Sequence, residues 1–190
     1  FSAYSNEENS IKSIKYSYLE TKKNNFIGLI TLPLRKDLII KKVLKNFSGH
    51  TEYLQKLDGK KFSNMILYHK NIIVSPLTTH IPIKSISKQI SKKDFIYNRI
   101  KSLHKTLQKD FGINNPKLII SGLNPHAGEN GNIGLEELKV IKPVINRLKK
   151  QKLNIDGPFS SDSIINDKNL LNYNCFVFLF HDQALIPFKY

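Results

Sequence analysis

Three runs in this chain, "IIVSPL", "LIISGL" and "CFVFLF", are apolar almost throughout rather than at alternate positions. A strand with apolar side chains on both faces must be covered on both faces, which an all-antiparallel sheet with one wet side cannot provide. Between these runs lie segments of helical spacing. "KDFIYNRIKSLHKTLQKDFG" places apolar residues at 95, 96, 100, 103 and 107 and closes on Gly112. "GLEELKVIKPVINRLKKQ" has acidic residues in its first turn and basic ones in its last, as the macrodipole favours, and Pro143 inside it predicts a kink. "IPIKSISKQIS" is a shorter helical stretch. Buried strands alternating with helices predict an α/β fold of three layers, α/β/α, with ligands bound outside the carboxyl ends of the strands.

The rest of the chain fits the same plan. "NNFIGLITLPL" (24–34) has strand character and is ended by Pro33, and "RKDLIIKKVLKN" has helical spacing with Gly49 beyond it as a stop. "NMILYHKNIIVSPLTTH" predicts two strands around a His-Lys-Asn turn, and "LNIDGPFSSDSII" a short strand followed by a polar turn. With no repeat, low-complexity tract or linker, the 190 residues read as one continuous α/β body.

Composition removes several function classes. No apolar run approaches the ~20 residues that span a bilayer, and "FSAYSNEENS" has neither a basic nor an apolar signal region. The absence of an initiator Met leads us to expect residues before Phe1. The lone Cys175, inside a strand pattern, rules out an internal disulfide and points to a reducing, cytoplasmic setting. The net charge is +15, but all except three of the 30 basic residues are Lys, in pairs scattered over the chain. Without an Arg-rich block or interleaved aromatics this reads as a solvated surface and not a nucleic-acid or membrane face, although its field would favour a small anionic substrate.

Three of the six histidines share a context. His80 follows "IIVSPLTT", His126 follows "LIISGLNP" and His181 follows "CFVFLF". In a parallel sheet such strand ends converge, and three neutral imidazoles with open positions suit a divalent transition metal. His69 and His104 lack that context. "SGLNPHAGENGNIGLEE" is a Gly-rich loop opening a helix, a place where an anion can sit, but it has neither dinucleotide nor Walker spacing. "GHTEYLQKL" reads either as a helix start or as His50 and Thr51 offered to a phosphate or carboxylate. Asp162, in "GPFSSDSII", reads either as a cap or turn residue or as a carboxylate facing the crevice.

Taken together, "GHTEYL", "TTHIPI", "GLNPHAGENGNIGLEE", "GPFSSDS" and "HDQALIPFK" resemble the 4-hydroxythreonine-4-phosphate dehydrogenase family of vitamin B6 biosynthesis, over about residues 28–190. The resemblance implies that His80, His126 and His181 are metal ligands, that His50, Thr51 and Lys189 contact substrate, and that Asp162 is an acidic residue at the site with a catalytic role. It implies NAD and a divalent metal (Zn, Mg or Co) as cofactors. It also implies a fold like those of isocitrate and isopropylmalate dehydrogenases, and a homodimer whose subunits share the metal site. The implied reaction is oxidation of the phosphorylated hydroxy-amino acid at its secondary hydroxyl, followed by loss of CO2 to leave 3-amino-2-oxopropyl phosphate.

Members of that family are longer at both ends, and an Asn and an Arg that bind substrate lie beyond the position of Tyr190; Ala184 stands where many have Gly. The chain is therefore expected to be a partial one. About 1–40 would close part of a first domain, and about 41–190 would form most of a second and return toward the first. Two other readings stay open: a paralogue acting on phosphorylated threonate or erythronate, and a non-catalytic metal- or phosphate-binding fragment.

Overall fold

The computed structural model describes residues 6–70 and 72–189. The chain divides into two compact units, Phe1–Ser63 and Asn64–Tyr190.

In the first unit three helices surround a small core: α1 (Asn6–Lys22), α2 (Lys36–Lys42) and α3 (His50–Leu57). Ile11, Ile39 and Phe47 are buried there, with Leu34, Val43, Leu44 and Tyr53 packed against them. The strand expected over 24–34 does not form, and Ile27, Ile30 and Leu32 are exposed. A strand exists only by pairing, and the described residues of this unit hold no other strand for it to join.

The second unit is a five-stranded sheet in the order β1-β2-β5-β3-β4, formed by Leu67–His69, Ile72–Pro76, Cys175–Phe178, Leu118–Ser121 and Ile155–Phe159 respectively. β1 and β2 form the expected antiparallel hairpin, while β2, β5, β3 and β4 run parallel. β5 is central, and it explains why "CFVFLF" must be apolar throughout. Cys175 and Val177 face one core with Ile96, Ile100 and Leu103 of α5 (Lys93–Lys109) and Val144, Ile145 and Leu148 of α6 (Lys142–Lys150). Phe176 and Phe178 face the other core with Val74, Ile119, Ile164 and Ala184. Each large side chain so buried contributes about 1.5–3 kcal/mol.

Helices thus cover both faces of a mixed sheet, as the unalternating strands predicted. α4 (Ile86–Ile90) leads into α5, and α7 (Asp167–Asn172) and α8 (His181–Lys189) flank β5 in sequence. Before α6, the residues Glu137–Ile141 form a π-helical turn ending just ahead of Pro143, which lacks the N–H that would continue the ladder. Every lysine is exposed except Lys142, which is half-buried. No helix among the described residues is long and apolar enough to cross a membrane.

Candidate functional site

The carboxyl ends of three adjacent parallel strands carry the three histidines. β2 runs out through Thr78 to His80, β5 leads directly into His181, and β3 continues through Gly122 to His126. Hydrogen bonds extend the ladder past the strands themselves. The Leu77 amide donates to Phe178 O (2.8 Å), and Thr78 donates to Leu179 O through both its amide (3.1 Å) and its hydroxyl (2.8 Å). The exits of β2 and β5 are thereby fastened together, and the His80 and His181 rings lie 5.6 Å apart, centre to centre. On the other side the Gly122 amide donates to Phe159 O (2.7 Å), so β3 leaves the sheet fastened to β4.

That second fastening decides where His126 goes. It stands near Asp162, in the turn after β4. Asp162 is exposed, and its carboxyl is held below the ordinary value, mainly by a hydrogen bond from the Ser160 side chain. Among the described residues no three His, Cys, Asp or Glu side chains of one chain converge closely enough to hold a metal ion. Sequence placed three imidazoles at one end of the sheet. Within one chain the structure brings two together and sets the third beside a carboxylate.

His181 is the first residue of α8. Its Nδ1 lies 3.0 Å from Asp182 Oδ1. A carboxylate at Nδ1 fixes the tautomer that leaves Nε2 as a lone-pair donor, the arrangement seen behind metal-binding imidazoles. The donor set of His80 and His181 therefore suits a transition metal. Lys189 is exposed in the last turn of α8, eight residues or about 12 Å along the axis from His181.

The remaining candidates lie in the first unit. His50 and Thr51 form the first turn of α3, so the helix-start reading holds whatever else they do. The His50 Nε2 atom is buried without a hydrogen-bond partner. Thr51 lines an open cavity of about 590 Å³ with Tyr18, Lys22, Leu54 and Asp58, in which both Tyr18 and Lys22 donate to the Asp58 carboxylate.

Two residues missed from sequence organise the strand ends. Gln183, between β5 and β3, accepts from the Leu179 amide (2.9 Å) and the Ser121 hydroxyl (3.2 Å) and donates to Gly122 O (2.8 Å). Glu137, read as a macrodipole partner, is only 1% exposed and accepts from the Leu123 and Asn124 amides, both at 2.8 Å. The pattern held a signal for it. Glu137 precedes the buried Val140, Ile141, Val144 and Ile145 by three, four, seven and eight residues, so it lies on the apolar stripe. A carboxylate there has to find donors.

Comparison with known proteins agrees with the motifs. Residues 3–190 match the family described as pyridoxal phosphate biosynthetic protein PdxA. A 4-hydroxythreonine-4-phosphate dehydrogenase from Sulfurihydrogenibium sp. is 38% identical over 182 residues, covering 96% of this chain and 53% of its own length. One from Neisseria meningitidis serogroup A is 37% identical, covering 87% of this chain and 50% of its own. The crystal structure of the 4-hydroxythreonine-4-phosphate dehydrogenase from Klebsiella pneumoniae superposes with a TM-score of 0.86 at 27% identity, covering 94% of this chain and 54% of that one. A terephthalate 1,2-cis-dihydrodiol dehydrogenase from Burkholderia xenovorans shares the fold at 21% identity and a TM-score of 0.74. The chain spans about half the length of the curated relatives it matches. By sequence and by fold, it belongs to the PdxA family of pyridoxal phosphate biosynthetic proteins.

Proposed function

We propose that this chain carries the metal-binding residues and part of the substrate-binding residues of a dehydrogenase that oxidises and decarboxylates 4-phosphonooxy-threonine, yielding 3-amino-2-oxopropyl phosphate in pyridoxal phosphate biosynthesis. The observation that carries the reading is the pairing of His80 with His181 at the carboxyl end of a parallel sheet, with the His181 ring held by Asp182. Among the described residues no third His, Cys, Asp or Glu completes a metal-holding group with that pair. In a homodimer, His126 of the partner subunit would supply the third imidazole.

When bound, a divalent cation (Zn, Mg or Co) would supply Lewis acidity toward the substrate hydroxyl, and NAD would be the hydride acceptor. The residues of this chain do the rest. His80 and His181 present neutral imidazole donors, and Asp182 holds the tautomer of the second. Lys189, on the same helix as His181, would offer an ammonium to an anionic end of the substrate, and the GHTE motif is what assigns His50 and Thr51 to anion contacts. Asp162, exposed and with its carboxyl held below the ordinary value mainly by the Ser160 side chain, would present a negative charge near His126.

The test is NADH formation by the complete natural polypeptide. Phosphorylated 4-hydroxythreonine should be turned over, chelation should abolish turnover, and added divalent metal should restore it. Turnover of phosphorylated threonate or erythronate alone would reassign the substrate. Metal content unchanged in His80→Ala, His126→Ala and His181→Ala would remove the three-histidine reading altogether.

A further inference from the structure

His126 sits in a backbone conformation that its own sequence does not favour. His126, Ala127, Gly128, Glu129 and Asn130 all have positive φ, between 44° and 76°, so the segment makes a left-handed turn. Only Gly takes this region freely; each L residue in a left-handed helical turn costs on the order of 1 kcal/mol, and four of the five have side chains. The surroundings must impose such a turn.

The group that holds the start of this turn is Glu137. Its Oε1 accepts from the amides of Leu123 and Asn124, the residues that lead into the turn, and its Oε2 accepts from Asn124 Nδ2 at 2.9 Å. Neighbouring Glu136 accepts from the same Asn124 amide group and from Ser87. The turn closes down on this carboxylate. A Cβ at Gly128 would lie 2.6 Å from Glu137 Oε2, and one at Gly122 would lie 3.1 Å from Oε1. The glycine at 128 is thus explained by where Glu137 sits, whereas a Cβ at Gly122 would first meet Ala127 Cα of the turn itself, at 2.7 Å; the start of the left-handed turn is held through the amides that Glu137 accepts from.

We infer that Glu137 is a positioning residue for the metal site, fixing the turn that carries His126 so that its imidazole is delivered in one orientation. This rests on the three-histidine reading above. It assigns Glu137 no contact with metal or substrate. The inference requires metal affinity, and not only fold stability, to depend on a carboxylate eleven residues from the ligand.

The experiment uses the complete natural chain with Co²⁺ alone as probe, following affinity by titration and coordination by the visible spectrum. Glu137→Ala would strand two buried amides and risks unfolding the strand end, so Glu137→Gln is the informative variant: it keeps the shape and one acceptor oxygen. We expect Glu137→Gln to bind Co²⁺ about tenfold or more weakly, with an altered spectrum, as loss of a ligand-orienting partner does. A lowered unfolding midpoint with unchanged Co²⁺ affinity and spectrum, while His126→Ala abolishes binding, would make Glu137 merely structural and overturn the inference. Full Co²⁺ binding by His126→Ala would overturn the three-histidine reading itself, and the inference with it.

Discussion

At the scale of single residues, the polar groups that matter are those standing where an apolar residue would be expected. Gln183 is the clearest after Glu137. It joins the exit of β5 to the exit of β3 through three hydrogen bonds, two with the backbone of Leu179 and Gly122 and one from the Ser121 hydroxyl, all at buried residues. Gln183→Leu should destabilise the protein by about 1–3 kcal/mol by leaving these groups unpaired, measured as a shift in the urea midpoint with an unchanged slope. Cys175 offers a complementary check. Burial pushes its thiol far above the ordinary range, so it should resist alkylation in the native protein and react only as fast as the molecule opens. Mass spectrometry after timed alkylation would show protection lost only in denaturant; rapid labelling under native conditions would contradict the central placement of β5.

At the scale of elements, β5 bears the heaviest load because both of its faces are core. Phe176→Ala should cost about 3–5 kcal/mol, read from equilibrium unfolding. The far end of the sheet is tied by a polar group instead. Asp156 of β4 accepts from Lys149 at 2.7 Å and Tyr173 at 3.0 Å. The Lys149 bond, with Tyr173 second to it, holds the Asp156 carboxyl below its ordinary 3.8 against the opposing effect of burial. A carboxyl depressed in the folded state adds stability above its unfolded pKa, and that share is lost as pH falls through the lower folded value. Wild type should therefore lose more stability than Asp156→Asn between neutral pH and the acid limb, as thermal melts at several pH values would show. Element identity was largely legible from sequence where a run could be satisfied locally or in the sheet, as in α5, the β1–β2 hairpin, β3 and β5. The run at 24–34 was not, because strand character in a sequence states a capacity to pair and says nothing of whether a partner is present.

At the scale of the whole molecule, the two units differ in how much core they own. The unit Asn64–Tyr190 has two buried clusters, one on each face of its sheet, whereas Phe1–Ser63 has one centred on Ile11, Ile39 and Phe47. Native-state hydrogen exchange should show slowest, globally limited exchange for β2, β5 and β3, and exchange faster by orders of magnitude for α1–α3; equal protection in both units would contradict this. Some of what the protein is was determined by sequence alone, because it depends on local chemistry. Apolar strands without alternation require a sheet covered on both faces, and imidazoles following buried strands must emerge at its carboxyl edge. The tertiary structure alone decided which strands became neighbours. By hydrogen-bonding β2 to β5 and β3 to both β5 and β4, it paired His80 with His181, sent His126 toward Asp162, and buried Glu137 beneath the turn it holds. Those outcomes depend on strand order and on long-range hydrogen bonds, which residue spacing along a chain does not encode.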